Sequence, residues 1–143
     1  MSLPTVTDRG PTSQDVGAVR SILLVDDSDF ERVIIRSAVE GLTNFCVCGE
    51  ASNGVEGIKK AIELKPDLVV MDLAMPLMNG LEAATVIKNA LPGVPIVLLT
   101  LYAEQLRGPR SSAFGDVTVL SKTDGLAPLL ECLDRLLGDN GSE

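Results

Sequence analysis

The chain has 143 residues, 45% of them hydrophobic, which suits one domain with a full apolar core and excludes a disordered tail. Lys and Arg number 12 against 20 Asp and Glu, and the net charge of −8 argues against wrapping nucleic acid or an anionic membrane while suiting a bound cation. Aromatic residues are only 3%, so the core must be aliphatic and base stacking has no platform; Cys46, Cys48 and Cys132, an odd set without a signal peptide, point to a reducing cytoplasm.

Residues 1–20 are rich in Thr, Ser, Pro, Gly and Asp, lack apolar periodicity, and read as a disordered leader or a cloning remnant. Ile22-Leu23-Leu24-Val25 is a short apolar run, read as a strand that stops at Asp26-Asp27. Phe30, Val33, Ile34, Ser37 and Ala38 recur at helical spacing, with Ser28 or Asp29 as cap and Gly41 as stop. A second strand follows over residues 45–50. With no His and no second Cys pair in the chain, Cys46 and Cys48 read there as small apolar residues on one face. Asn53-Gly54 signals a turn, and Val55, Ile58, Ala61, Ile62 and Leu64 mark the next helical face, broken at Pro66-Asp67. Leu68-Val69-Val70-Met71 then ends abruptly in one carboxylate, Asp72, before a loop holding Pro76 and Gly80. Such a run fits a strand buried on both faces.

Leu81, Ala84, Val86, Ile87, Ala90 and Leu91 predict a third helix, ended by Pro92-Gly93, and a fourth strand over 94–100 ends in Thr100. Over residues 102–115 the signal is poor, because Gly108-Pro109 interrupts an expected fourth helix. A fifth strand over 117–120 leads to Ser121-Lys122, a last amphipathic helix covers 126–137, and residues 139–143 are a polar tail. No apolar stretch is long enough to span a bilayer.

Strands alternating with helices imply an α/β fold, a doubly wound five-stranded parallel sheet. In such a sheet the C-terminal strand ends share one edge, where ligands bind. Asp26, Asp27, Asp72, Thr100 and Lys122 therefore converge. Singly each has a bland reading: a helix cap, an ordinary strand residue, a surface ion pair. Together the carboxylates repel unless a hard divalent cation such as Mg²⁺ joins them, with Lys122 as a fixed positive charge and Thr100 as a hydroxyl donor. Without His, and without a serine beside a base, the nucleophile such a site offers toward phosphorus is a carboxylate, its product an aspartyl phosphate. Asp72, alone at the end of its strand, is the residue read as carrying the chemistry.

Ile22 to Val25 followed by Asp26-Asp27 and Arg32 resembles the opening of response-regulator receiver domains. Gly49-Glu50-Ala51-Ser52-Asn53-Gly54 and the stretch from Lys65-Pro66-Asp67 to Asp72-Leu73-Ala74-Met75-Pro76 are similar to receivers of the nitrate-response type. Asn79-Gly80, Thr100 and Lys122 complete a resemblance spanning residues 21–137. It implies the flavodoxin-like strand order 2-1-3-4-5 and a receiver domain over 21–138. It implies Asp72 as phosphoacceptor, and Mg²⁺ held by Asp27, Asp72 and the Ala74 carbonyl, with Asp26 acting mostly through water. Lys122 would pair with the phosphoryl group, Thr100 would move to bond it, and Leu101 would lend its backbone N–H.

The implied donor is a sensor histidine kinase, and the implied role is a cytoplasmic switch with no enzymatic activity beyond its own phosphorylation and dephosphorylation. Output would run through transcription, by a DNA-binding domain outside this chain; the alternative is a stand-alone or pseudo-receiver acting by protein contacts. The segment itself would touch neither nucleic acid nor membrane, and a homodimer through the first helix or the fourth and fifth remains open. An aspartate-nucleophile hydrolase is disfavoured, since it wants a second Asp where Ala74 stands. Three departures from the family stand out: Val119 occupies the place of an aromatic switch residue, Thr123 follows Lys122 with an expected trans bond, and Gly108-Pro109 shortens or breaks the fourth helix. Tyr102 falls at a position the family uses to tune dephosphorylation.

Overall fold

This computed structural model describes residues 19–101 and 117–138. Strands β1 (Ser21–Val25), β2 (Cys46–Ala51), β3 (Leu68–Asp72), β4 (Ile96–Thr100) and β5 (Val117–Ser121) form one sheet in the order β2-β1-β3-β4-β5. Every pairing is parallel. Helices α1 (Asp29–Leu42), α2 (Gly54–Leu64), α3 (Gly80–Ala90) and the C-terminal α4 (Ala127–Leu137) cover it, with a short 3₁₀ turn at Lys122–Asp124. Strand order and fold class are those expected of the doubly wound receiver architecture.

All five residues of β3 and all five of β4 are buried, which is why both read as unbroken apolar runs. Alternation along the strands divides the core. Ile22, Leu24, Val70 and Val97 pack with Ile35 and Val39 of α1 and Leu129 and Leu133 of α4. Leu23, Val25, Met71 and Leu98 pack on the other face with Ala61, Ala83, Ala84 and Ile87. Val119 is half-buried against this second layer.

The helical faces differ from the sequence expectation. On α1 the buried residues are Ile35 and Val39, whereas Phe30 is 72% and Val33 61% exposed. The period was right and the stripe wrong, because Glu31 and Arg32 occupy the inward positions of the first turn and reach the sheet edge. Gly41 does not stop α1; the helix runs on to Leu42, and Thr43 closes it by donating both its N–H and its hydroxyl to the Val39 carbonyl. On α2 the buried residues are Gly54, Gly57 and Ala61, leaving Val55, Ile62 and Leu64 exposed. That helix lies so close to the sheet that a Cβ at Gly57 would stand 2.9 Å from Val25 Cγ1. Asn53 lies in the bend between β2 and α2 and is the helix N-cap, accepting from Glu56 N–H at 2.8 Å. Val86 of α3 also faces solvent.

In β2 the register passes from Ile22↔Val47 to Leu23↔Gly49, so Cys48 is skipped at a bulge, and Cys46 and Cys48 stay free and half-buried. The Lys122–Thr123 bond is trans, as expected. Gly108-Pro109, Tyr102, most of the leader and the tail lie outside the described residues.

One loop matters for the site. After Asp72 the chain returns to the sheet at Gly80, whose N–H donates to the Leu73 carbonyl at 2.7 Å. A Cβ at Gly80 would sit 2.5 Å from the Asp72 carbonyl oxygen and 2.9 Å from Leu73 Cα, so no side chain fits without moving backbone. Gly80→Ala is expected to cost about 1–3 kcal/mol in urea unfolding, as overpacking does. Gly41→Ala, with nothing within 4 Å of its Cβ, is expected to gain about 0.5–1 kcal/mol by stiffening the helix end. Equal stabilities of Gly80→Ala and wild type would show that the loop is not so constrained.

Candidate functional site

At the C-terminal rim the chain leaves β1 at Asp26-Asp27, and Asp72 is the last residue of β3. One carboxylate oxygen from each of Asp26, Asp27 and Asp72 lies within 4.8 Å of the others. Asp26 and Asp72 are buried, at 3% and 5% exposure, while Asp27 faces solvent. Lys122, just past β5, places its Nζ 3.1 Å from Asp72 Oδ1 and 3.7 Å from Asp26 Oδ2. Its nearest partner is a residue the sequence reading did not single out: Glu31 Oε1, at 2.7 Å. Thr100 ends β4, buried and in register with Ser121, and exposed Leu101 follows it. Ala74 is exposed, its N–H 3.4 Å from Asp72 Oδ1.

Local chemistry fixes the acids. Ser28 caps α1 by accepting from Glu31 N–H at 3.1 Å, and its own N–H donates to Asp26 Oδ1 at 2.8 Å. The Arg32 guanidinium donates to the Asp26 carbonyl and to Asp29, and through Nε to Glu50 at 2.8 Å. Arg36 holds the other Glu50 oxygen at 2.6 Å. Arg32 thus ties the backbone under Asp26 to β2.

Burial pushes the Asp26 carboxyl up to about 7, helped by its contact with Glu31 and the charge of Asp72, and opposed by the Ser28 N–H and Lys122. Burial also raises Asp72, against the pull of Lys122. Glu31 is lowered, first by its hydrogen bond from Lys122 and then by Asp26. Burial works against the charge on Lys122, yet its bonds to Glu31 and Asp72 and the surrounding acids outweigh it and raise the ammonium. Asp26 Oδ2 is buried and accepts no hydrogen bond among the described residues. An all-oxygen donor set with such an oxygen aimed into it fits a hard divalent cation.

Residues 22–134 match the response regulator receiver domain family. The chain belongs to that family. The receiver is 37% identical over 112 residues to the response regulator protein VraR of Staphylococcus saprophyticus, covering 78% of this chain and 54% of that protein. The chain therefore spans about half the length of the curated relatives it matches. Among solved structures it superposes on a LuxR-family two-component response regulator from Aurantimonas sp. SI85-9A1 with TM-score 0.75 and 28% identity, covering 84% of this chain and 86% of that one. It superposes on the response regulator TrrA of Thermotoga maritima, in complex with Mg(2+)-BeF, with TM-score 0.74 and 31% identity, covering 83% and 100%. Receivers are phosphoacceptor signalling domains served by sensor histidine kinases. The nitrate-response subtype finds no support among these relatives, which are VraR and LuxR-family regulators. Among the described residues no helix is long and apolar enough to cross a membrane.

Because folded Asp26 holds its proton more tightly than the unfolded chain does, its own contribution to metal-free stability falls as pH rises between its ordinary value of 3.8 and about 7, and levels off above. Asp26→Asn keeps an acceptor for Ser28 and cannot ionise. In chelator, urea unfolding above neutral pH should find it about 1–2 kcal/mol more stable than wild type, with the difference gone under acid. A variant less stable at every pH would contradict the assignment of strain to this carboxylate.

Proposed function

We propose that Asp72 accepts a phosphoryl group from a sensor histidine kinase and that the switch so made controls an output. The observation that carries this is Lys122 Nζ lying 3.1 Å from Asp72 Oδ1 on a rim where three carboxylates meet. An Asp72 oxygen forms the new O–P bond as the N–P bond of phosphohistidine breaks, and the departing nitrogen keeps the electron pair. Lys122 donates to a phosphoryl oxygen and offsets its charge, while the Thr100 hydroxyl and the Leu101 N–H serve the product dianion. Asp27, Asp72 and the Ala74 carbonyl would hold Mg²⁺, with Asp26 acting through water. When bound, that ion neutralises charge on the transferring group. Arg32 keeps Asp26 in place, and Ser28 fixes which of its oxygens faces the rim.

On this reading residues 21–138 are the switching unit, flanked by a leader and a tail. The relatives support transcription as output, through a DNA-binding domain outside this segment. The segment itself would contact no nucleic acid and would signal through protein surfaces, pairing with a second copy among them. The family and the free cysteines support a cytoplasmic setting. Val119 carries no ring, so the movement of Thr100 would be passed on by aliphatic repacking.

Acetyl phosphate with Mg²⁺ should add one phosphoryl group per chain by intact mass, with none on Asp72→Asn and none in chelator. Lys122→Met should slow the addition roughly ten- to hundredfold, as loss of a preorganised donor does. A wild-type chain that stays unmodified would refute the switch, and rapid turnover of simple phosphate esters would make it a hydrolase.

A further inference from the structure

We infer that Glu31 is a positioning residue that shares Lys122 with Asp72 and so sets how firmly the rim holds a phosphoryl group; this rests on Asp72 being the phosphoacceptor. The ammonium lies 2.7 Å from Glu31, nearer than the 3.1 Å to Asp72 or the 3.7 Å to Asp26. An ammonium has three N–H donors, and these three acids surround it. Asp26, at 3.7 Å, accepts no hydrogen bond from it, so a phosphoryl group arriving on Asp72 competes chiefly with Glu31 for the ammonium.

The structure differentiates the partners. Asp26 and Asp72 side chains are 4% and 7% exposed, and Asp26 is pinned by the Ser28 N–H. The Glu31 side chain is 40% exposed and lines, with Lys122, Ile34, Ile35 and Leu99, a cavity of about 210 Å³ beneath α1. It has room to swing away, so it is the partner that releases Lys122. Its charge also acts on the two ligands with opposite sign. A carboxylate beside the rim favours a cation and disfavours a phosphoryl dianion. Removing it should weaken Mg²⁺ binding and strengthen phosphoryl retention, whereas a merely structural role would weaken both.

The test uses the full 143-residue chain as wild type, Glu31→Gln and Glu31→Met, each also in a Lys122→Met background. Mg²⁺ affinity is measured by calorimetry, and the ratio of phosphorylated to free chain by intact mass under acetyl phosphate at saturating Mg²⁺. Glu31→Gln and Glu31→Met should bind Mg²⁺ about two- to fivefold more weakly and raise the phosphorylated ratio about two- to fivefold, the scale of a half-exposed ion pair. In the Lys122→Met background most of the gain in phosphorylation should disappear, because Glu31 acts chiefly through that ammonium and only its weaker direct repulsion of the dianion remains. If neither variant folds, Glu31→Asp, one methylene short, should keep wild-type Mg²⁺ affinity and show part of the gain. Loss of both affinities, or a gain of undiminished size without Lys122, would overturn the proposal. A wild type that takes up phosphoryl normally while Glu31→Gln matches it removes this inference alone; a wild type that takes up none removes the phosphoacceptor reading with it.

Discussion

Two buried carboxylates sharing one ammonium at the edge of a sheet are the constraint on which the rest of this molecule depends. Asp26 and Asp72 are almost wholly withdrawn from water, and burial opposes the charge of each. Lys122 offsets part of this, but Asp27 and Glu31 add negative charge to the same rim. Acids therefore outnumber the cation wherever the site is metal-free. A rim arranged for stability alone would not look like this, because apolar groups of similar volume would serve the fold better. On the proposed function the imbalance has a chemical use: it would make the edge receptive to a divalent cation, which in turn would make it tolerant of a phosphoryl dianion.

Such an arrangement works only if the acids cannot relax apart, and the fold restrains each of them separately. β1 and β3 lie side by side in the middle of the sheet, in register from Ile22↔Leu68 to Val25↔Met71, so Asp26 and Asp72 emerge together. At the opposite end of the same strands, Ser21 N–H donates to Asp67 Oδ2 at 2.7 Å and fixes that register. Arg32 anchors the carbonyl of Asp26, and the tight return at Gly80 anchors the carbonyl of Leu73, one residue past Asp72. The two central strands are held at both ends, and the side chains that would otherwise repel have little freedom to move.

The parts of this design that could be read from sequence are those carried by single residues at strand ends. Fully buried parallel strands leave continuous apolar runs, and Asp26, Asp27, Asp72, Thr100 and Lys122 each stand where such a run stops. The structure places all five at one rim. The helical faces were less legible. On α2 the fully buried positions are Gly54, Gly57 and Ala61, with Gly57 too close to Val25 for any side chain, so the expected face kept Ala61 and the partly buried Ile58 but also took in the exposed Val55, Ile62 and Leu64. Glu31 was invisible for another reason. Its partner Lys122 is 91 residues away, and spacing rules within a helix say nothing about a contact made across the fold. The only signal was positional: Glu31 falls one turn after Asp27, where a side chain on the inner face reaches back over the rim.

Helix α1 shows which force decides when these demands conflict. Turning it about its axis to bury Phe30 and Val33 would expose Ile35 and Val39. At about 1.5–3 kcal/mol for each large apolar side chain, that exchange comes out near zero. The same rotation would take Arg32 from the Asp26 carbonyl and Glu31 from Lys122. The Arg32 hydrogen bond contributes about 1.5–3 kcal/mol, a buried carbonyl left without its donor costs a comparable amount, and the half-exposed Glu31–Lys122 pair adds up to about 1 kcal/mol. The apolar term is nearly indifferent to the orientation of α1 and the polar term is not. The first turn therefore faces inward with its charges, Phe30 is left in water, and the stripe returns to aliphatic residues only once the helix has passed the rim.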